Sequence, residues 1–289
     1  LLKKKQKNGK PLQGNAMLNE DEINQKRIWN NYARIWKKEG TLGYLQTTID
    51  PRDKKGLKCD YIDRWSRYYI KKFVIAEGTG RIRILEIGSG SGRNLLALAP
   101  YIEVGYGIDI AEEQIKNAKD RKKELKIDNV FFFNDPQEVF DLQAKIEIVF
   151  TMWVLQHFLD DQNMLKCLSM YKIMLPTVQK FIFFEQIASE GYTVEEEGNF
   201  YKKIRTMKEY KDLLAEAGIK LLECKLINEK GFGPFYRLLF LTMLYKYWPK
   251  KININGFLFF LDRLLVHRSI GRRFTDCAFI CEPNYREKR

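Results

Sequence analysis

Apolar positions recur at two different periods along this chain. Residues 20–38 set Ile28, Trp29, Tyr32, Ala33 and Trp36 at helical spacing, and residues 60–77 do the same with Tyr61, Ile62, Trp65, Tyr69 and Phe73 behind Asp60, a predicted N-cap. Two amphipathic helices therefore open the chain. Beyond them, short apolar runs alternate with helical segments: RIRILEI, EVGYGIDI, NVFFFN, KIEIVF and KFIFFEQI, with helices such as AEEQIKNAKDRKKEL between. That rhythm predicts a mostly parallel sheet with helices on both faces. Two further predicted strands, IKLLECKLI and TDCAFICEP, bring the sheet to seven and are separated by a stretch rich in Phe, Leu, Tyr and Arg that reads as a helical insert. The expected organisation is a basic tail and helical lid over 1–79, an α/β core over 80–228, a basic helical insert over 229–273, and the last strand with its tail over 274–289.

Composition narrows the class. A chain of 289 residues with 45% hydrophobic content can bury a proper core. Its longest apolar stretches, FYRLLFLTMLY and NGFLFFLDRLLV, are broken by Arg237, Asp262 and Arg263, short of the roughly 18 uninterrupted residues of a membrane span. The N-terminal LLKKKQKNGKPL has no apolar core or cleavage site of a secretory signal. Leu1 in place of Met points to a clipped chain or a piece of a longer protein. Five scattered cysteines are too sparse and odd in number for a disulfide framework, so a reducing compartment, the cytoplasm, is expected, with Cys277 and Cys281 read as buried strand residues and not zinc ligands.

The chemistry gathers at LEIGSGSGRNLL. RIRILEI is a predicted buried strand, GSGSG the turn at its C-terminal end and RNLLALA the start of a crossover helix, which is where doubly wound sheets bind ligands. Glycine at 88, 90 and 92 lets backbone N–H groups approach a ligand at a helix N-terminus. A dinucleotide fingerprint needs Gly or Ala where Arg93 stands, and a phosphate loop needs the absent Gly-Lys-Ser or Gly-Lys-Thr. The spacing present is E-x-G-x-G-x-G, beginning at Glu86.

LEIGSGSGR resembles the first motif of the class I S-adenosylmethionine (SAM)-dependent methyltransferases, a Rossmann-like family. The likeness continues in order through GIDI, FNDPQEV, IVFTMWVLQHF and FIFFEQI, over residues 80–228 and the final strand. The resemblance implies that Gly88 and Gly90 pass under the methionine part of SAM and that Glu86 holds its ammonium. It implies that Asp109 takes the ribose hydroxyls, that Asp135 and Ile110 bind and pack on adenine, and that Thr151 ends the strand beside the transferred methyl. Helix capping for Asp109 and a plain turn for Asn134-Asp135-Pro136 are the competing structural roles. His157, after the fourth strand, is the first candidate base for a hydroxyl acceptor, with packing as its alternative, and Glu185 is the second, with an ordinary salt bridge as its alternative. Tyr61 and Arg205 are candidate acceptor-pocket residues.

The acceptor is narrowed by what is missing. Base amino-methyltransferases carry Asn or Asp before Pro-Pro and an aromatic where this chain has TMWV, and the metal-dependent catechol type has Asp where Thr151 stands. Nucleic acid is disfavoured, no metal is expected, and LDDQ reads as a helix start. DPRDKKGLKCDYIDRW and RTMKEY resemble, more loosely, methyltransferases found with bacterial surface-polysaccharide and glycolipid enzymes, which implies O-methylation of a saccharide or glycolipid. Another small molecule, a lipid or a protein remain alternative acceptors; a nucleotide-binding dehydrogenase and a non-catalytic binding module are alternative classes, against which Glu86, Gly88, Gly90 and Asp109 argue together.

Charge adds one more feature. From Lys230 to Arg289, twelve Lys and Arg face four Asp and Glu, a net +8 of the chain's +13. In the insert, Phe235, Leu238, Leu239, Thr242 and Met243 share a helical face while Arg237, Lys246, Lys250 and Lys251 supply charge. Such a segment suits peripheral contact at the inner face of an anionic membrane or a lipid-linked acceptor; the alternative is a helical cap packed on the sheet.

Overall fold

The structure, a computed structural model, describes residues 20–36, 43–46, 48–50, 53, 55–75, 81–196, 199–229, 234–241, 254–265 and 275–285. Five strands, β1 (Arg83–Ile87), β2 (Val104–Ile108), β3 (Val130–Phe133), β4 (Ile148–Met152) and β5 (Lys180–Ala188), pair in parallel in the order β3-β2-β1-β4-β5. Their residues alternate between two buried faces, which is why each reads as a continuous apolar run. Ile84, Phe150, Ile182 and Phe184 point to one core and Leu85, Val149, Phe181 and Phe183 to the other. Crossover helices α4 (Arg93–Leu98), α5 (Glu112–Glu124), α6 (Pro136–Asp141) and α7 (Asp161–Met174) connect them. α7 begins at the LDDQ segment, where Asp160 caps it by accepting from the Gln162 N–H.

Among the described residues the sheet has nine strands, two more than the seven expected. β8 (Ile219–Glu229) and β9 (Thr275–Pro283) are the two distal strands read from the sequence; β9 enters antiparallel between β5 and β8. The additional pair is a hairpin of β6 (Tyr192–Glu196) and β7 (Asn199–Thr206), attached to the end of β5 through Ile187–Arg205 and Ala188–Thr206. Its sequence, YTVEEEGNFYKKIRT, is too charged for an apolar alternation to stand out. The antiparallel β8–β9 pairing also joins Cys224 to Cys277 in a disulfide, 53 residues apart in sequence, where free buried thiols were expected. Helix α8 (Met207–Glu216), between β7 and β8, starts with a capping box of Thr206 and Glu209.

Three helices precede the sheet: α1 (Glu20–Trp36), α2 (Gly43–Gln46) and α3 (Leu57–Ile70), which ends in a π turn at Lys71–Ile75. Asp60 is not the N-cap of α3. The helix starts three residues earlier, after Gly56 at φ 71°, and Asp60 instead accepts hydrogen bonds from Arg64 and Asn255. The insert contributes α9 (Pro234–Leu241) and α10 (Asn255–Leu265); Thr242, Met243, Lys246, Lys250 and Lys251 lie outside the described residues, as does the Leu239 side chain. Tyr236 and Leu258 enter the core beside α3, while Leu238, Phe257, Phe260 and Leu264 are exposed. No helix among the described residues is long and apolar enough to cross a membrane.

Asp262 of α10 holds this helical layer together. It is fully buried, accepts from the Phe235 and Tyr236 N–H groups at the start of α9 at 2.6 and 3.0 Å, and takes the Tyr61 hydroxyl of α3 at 2.6 Å. Asp262→Ala strands three donors and should lower unfolding stability by about 2–4 kcal/mol, against about 1 kcal/mol for Tyr61→Phe, which removes one donor. Urea titration of both variants checks the ratio.

Candidate active site

The turn after β1 lies between two neighbouring strands that lead away in opposite directions, β2 on one side and β4 on the other, so a crevice opens at the strand ends. The Gly88 and Ser89 N–H groups donate to the Ile108 carbonyl of β2, folding the loop back over the sheet. Gly88 (φ 70°) and Gly90 (φ 51°) adopt left-handed backbone, and a Cβ on either would overlap Val154 or Thr48. Asp109, at the end of β2, ties this loop to α5: its Oδ2 accepts from Gly90 N at 2.8 Å and its Oδ1 from Ala111 N at 2.9 Å. Burial raises its carboxyl to about 6, opposed by these two bonds. Asp109 is not the N-cap of α5, which is Ala111; it holds the N–H of that residue while lining the cavity.

Glu86 lies one residue inside the end of β1. It is 1% exposed; its Oε1 accepts from Asn94 Nδ2 at 2.6 Å, and its Oε2 is buried with no hydrogen-bond partner. Burial pushes its carboxyl up to about 8, with the Asn94 bond and the Arg93 charge pulling the other way. A buried carboxylate oxygen with spare accepting capacity beside a backbone cradle suits a ligand that brings donors or positive charge.

These groups face a cavity of about 1200 Å³, whose wall includes Glu86, Gly88, Gly90, Asp109, Ile110 and Asp135. Asp135 also caps α6 through Gln137 N at 2.9 Å. A sequence profile of the methyltransferase domain matches residues 79–228, just over half of the chain. The chain belongs to the methyltransferase domain family. The uncharacterized methyltransferase YcgJ of Bacillus subtilis (strain 168) is 24% identical over 131 residues, 45% of this chain and 51% of that protein. The chain thus spans about half the length of that curated relative. Magnesium protoporphyrin IX methyltransferase of Synechocystis PCC 6803, solved with bound SAM, superposes with a TM-score of 0.55 at 13% identity, covering 93% of this chain and all of that one. A SAM-dependent methyltransferase of Leishmania major gives 0.52 at 16% identity, over 92% and 87% of the two chains. At these identities the likeness is one of fold. SAM is the methyl donor of the family, and the residues present fit it: the unpartnered Glu86 oxygen suits an ammonium, and the Gly88–Gly90 backbone leaves room for close approach.

The opposite wall of the methyltransferase cavity hangs from the turn after β4. Trp153 sits at φ 58°, rare for a bulky residue, and its backbone N–H donates to the Phe184 carbonyl at 2.7 Å. Glu185, fully buried on β5, clamps the turn by accepting from Val154 N, Leu155 N and Gln156 N at 2.9–3.2 Å, and from the Thr151 hydroxyl at 3.2 Å. Burial still lifts its carboxyl to about 7. His157 lines the cavity between Trp29 and Tyr201, whose ring centroids lie 5.3 and 4.9 Å away. Its Nδ1 is 3.0 Å from the Tyr201 carbonyl and so carries the proton, and burial lowers its pKa to about 4, leaving little proton affinity for a base.

Four of the residues singled out from the sequence do not line the cavity. Thr151 and Glu185 form the clamp behind its wall. Tyr61 stacks on Tyr236 at 3.9 Å and bonds Asp262, inside the helical layer. Arg205, fully buried on β7, binds Asp161 and the Leu155 and Phe158 carbonyls, fastening the hairpin to the clamped turn. The cavity wall instead includes Trp65 and Tyr69 of α3, Gln186 of β5, Lys202 of β7 and Asp276 of β9, none of them singled out for the site. The one signal for Asp276 was an acidic residue directly before the apolar run CAFIC of the last strand. Arg93 joins the two halves: its guanidinium pairs with Asp63 of α3 at 3.1 Å, reaches the Met152 sulfur and lies over the Trp153 ring.

Glu86 sets a stability signature. Because its folded pKa (about 8) exceeds its ordinary value of 4.5, the folded state holds a proton the unfolded chain gives up, and stability falls as pH rises across that window. Glu86→Gln keeps an acceptor for Asn94 and removes the titration. Its unfolding free energy should match wild type near pH 4 and exceed it increasingly toward pH 8, by on the order of 4 kcal/mol at the upper end, read as a growing difference in melting temperature. Thermal melts of both proteins across this range, without ligand, check the divergence.

Proposed function

We propose that this chain is a SAM-dependent methyltransferase that methylates a hydroxyl of a small-molecule acceptor, a saccharide or glycolipid. The observation that carries this is one cavity whose wall includes both the glycine loop and a set of aromatic and polar side chains, Trp65, Tyr69, Trp153, Asp276, Gln186 and Lys202, that we assign to the acceptor chamber. Aromatic faces beside a carboxylate, an amide and an ammonium suit a ring with an apolar face and several hydroxyls.

SAM supplies a methyl group already activated on a sulfonium, so the chain's work is alignment and exclusion of water. Glu86 offers its unpartnered oxygen to the ammonium, and Asp109 retains lone pairs for the ribose hydroxyls after its two backbone bonds. Asp135 and Ile110 stand at the adenine end. Asp109→Ala should weaken SAM binding by about 1.5–3 kcal/mol, as for bonds to a charged group. Isothermal calorimetry measures it, and unchanged affinity would remove Asp109 from the site.

The acceptor class is tested by incubating wild type with methyl-labelled SAM and a panel of nucleotide sugars, glycolipids, phenols, amines and peptides. Label on a saccharide hydroxyl supports the proposal; label confined to amines or peptides overturns it. A lipid-linked acceptor is favoured by α10, where Phe257, Phe260 and Leu264 are exposed at helical spacing beside exposed Arg263. Wild type should co-sediment with vesicles in proportion to their anionic lipid and be released by salt. Absence of sedimentation with strongly anionic vesicles at low salt leaves a free small-molecule acceptor.

A further inference from the structure

The acceptor chamber contains a carboxylate with no assigned work. Asp276 pairs in register with Gln186 of β5, 6% exposed, on the sheet face that also presents Phe184 and Ala278; Glu185 and Cys277 point to the opposite face. A charged residue at the second position of a strand whose first seven residues are buried is costly unless something uses it.

Its bonding leaves capacity for a substrate. Asp276 Oδ1 accepts from Trp153 Nε1 at 3.2 Å, and Gln186 donates a second hydrogen bond, while a carboxylate has about four lone-pair sites. Gln186 is itself oriented by Lys202 Nζ, 3.0 Å from its Oε1. The indole that reaches Asp276 belongs to the residue immediately following β4, so the carboxylate is one side chain away from the strand end against which the donor half of the cavity is built.

Several other ionisable groups at or behind the cavity wall are engaged elsewhere. Glu185 is behind the wall with four donors, and His157 is neutral down to about pH 4. Asp50 pairs with Lys58, Asp160 caps α7, and Asp135 caps α6. Lys202 of β7 is the charged group that acts on Asp276; in register with it, β5 presents the neutral Gln186 and β8 the neutral Asn228, while Tyr69 of α3, whose hydroxyl bonds the Ile227 carbonyl, and Arg93, paired with Asp63, line the same cavity.

We propose that Asp276 is the catalytic base for the acceptor hydroxyl, with Gln186 and Lys202 as positioning residues; this rests on the O-methyl transfer proposed above. The hydroxyl proton passes to an Asp276 oxygen as a lone pair of the acceptor oxygen forms the new O–CH3 bond. The S–CH3 bond of the sulfonium breaks, its electron pair stays on sulfur, and Asp276 is left as a neutral acid that returns its proton to solvent. Burial raises the Asp276 carboxyl to about 6, against the bonds from Trp153 and Gln186 and the charge of Lys202, so near neutral pH it is ionised and more basic than an ordinary aspartate.

The test uses the full chain, labelled SAM and whichever hydroxyl acceptor of the panel is methylated. Asp276→Asn preserves an acceptor for the Trp153 indole but holds no exchangeable charge. It should bind SAM within about twofold of wild type by calorimetry and lose at least about 100-fold in kcat, with a smaller change in the acceptor KM. The wild-type rate should rise with pH through about 6 and level off, and the residual rate of the variant should not. That wild-type profile needs no substitution, so the assignment stays testable if the variant folds poorly. A variant rate within about threefold of wild type, or a wild-type rate flat between pH 5 and 8, overturns the base assignment alone. A wild type that binds SAM and methylates no hydroxyl overturns the proposed reaction and the base with it.

Discussion

A single buried carboxylate, Glu185, holds the turn from which one whole wall of the cavity is built. Four donors converge on it, three of them consecutive backbone N–H groups that no strand or helix would otherwise satisfy. The arrangement fixes Trp153 in left-handed backbone, a conformation costing about 1–3 kcal/mol that persists only where neighbours over-determine it. Val154, the next residue, presses against the place where Gly88 would carry a Cβ, so the clamp also dictates glycine in the loop across the crevice. Arg205 then fastens the β7 hairpin to the carbonyls of the same turn. Desolvation outweighs these bonds enough to lift the Glu185 carboxyl to about 7, so the clamp weakens the fold electrostatically even as it organises it.

Part of the cavity wall comes from outside the matched domain. Glu86, the glycine loop, Asp109 and Asp135 all fall within residues 79–228, where the methyltransferase domain profile matches. Trp65 and Tyr69, Trp29 and Asp276 come from α3, α1 and β9, outside that span. Donor chemistry is common to the family and can be held by a shared frame, whereas the acceptor differs between members, so it is met by elements attached to the frame. The buried Arg93–Asp63 pair is the joint: it starts in the glycine loop's helix and ends on α3, so the acceptor wall is positioned by the donor loop.

Sequence alone gave the sheet because both faces of its strands are buried, which writes each one as an uninterrupted apolar run; RIRILEI, KIEIVF and KFIFFEQI could hardly be missed. The hairpin β6–β7 escaped because its faces are mostly wet and charged. Glu86, Gly88, Gly90, Asp109, Ile110 and Asp135 were legible because a short contiguous motif and strand-end spacing place them, and they do share one cavity. Tyr61 and Arg205 were chosen for chemical type and segment, with nothing to say which way they point; both are fully buried, Tyr61 on the buried Asp262 and Arg205 on the part-exposed Asp161. Asp276 reaches Trp153 across 123 positions, and the Cys224–Cys277 disulfide across 53, and no local pattern encodes such meetings.

Burial acts on the site carboxylates in one direction. Glu86, Asp109, Glu185 and Asp276 are all raised, to values between about 6 and 8, and in each case desolvation is the largest cause. A fold selected only for stability would replace or expose such groups, because every one of them makes the folded state less favourable as pH rises. Glu185 is retained for the backbone geometry it enforces. Glu86 has an oxygen without a partner, and Asp276 sits on a strand where an apolar residue would pack as well. The proposed reaction would supply each with a partner, the ammonium of SAM for the first and the acceptor hydroxyl for the second, so on that proposal the strain of burial and the function fall on the same two side chains.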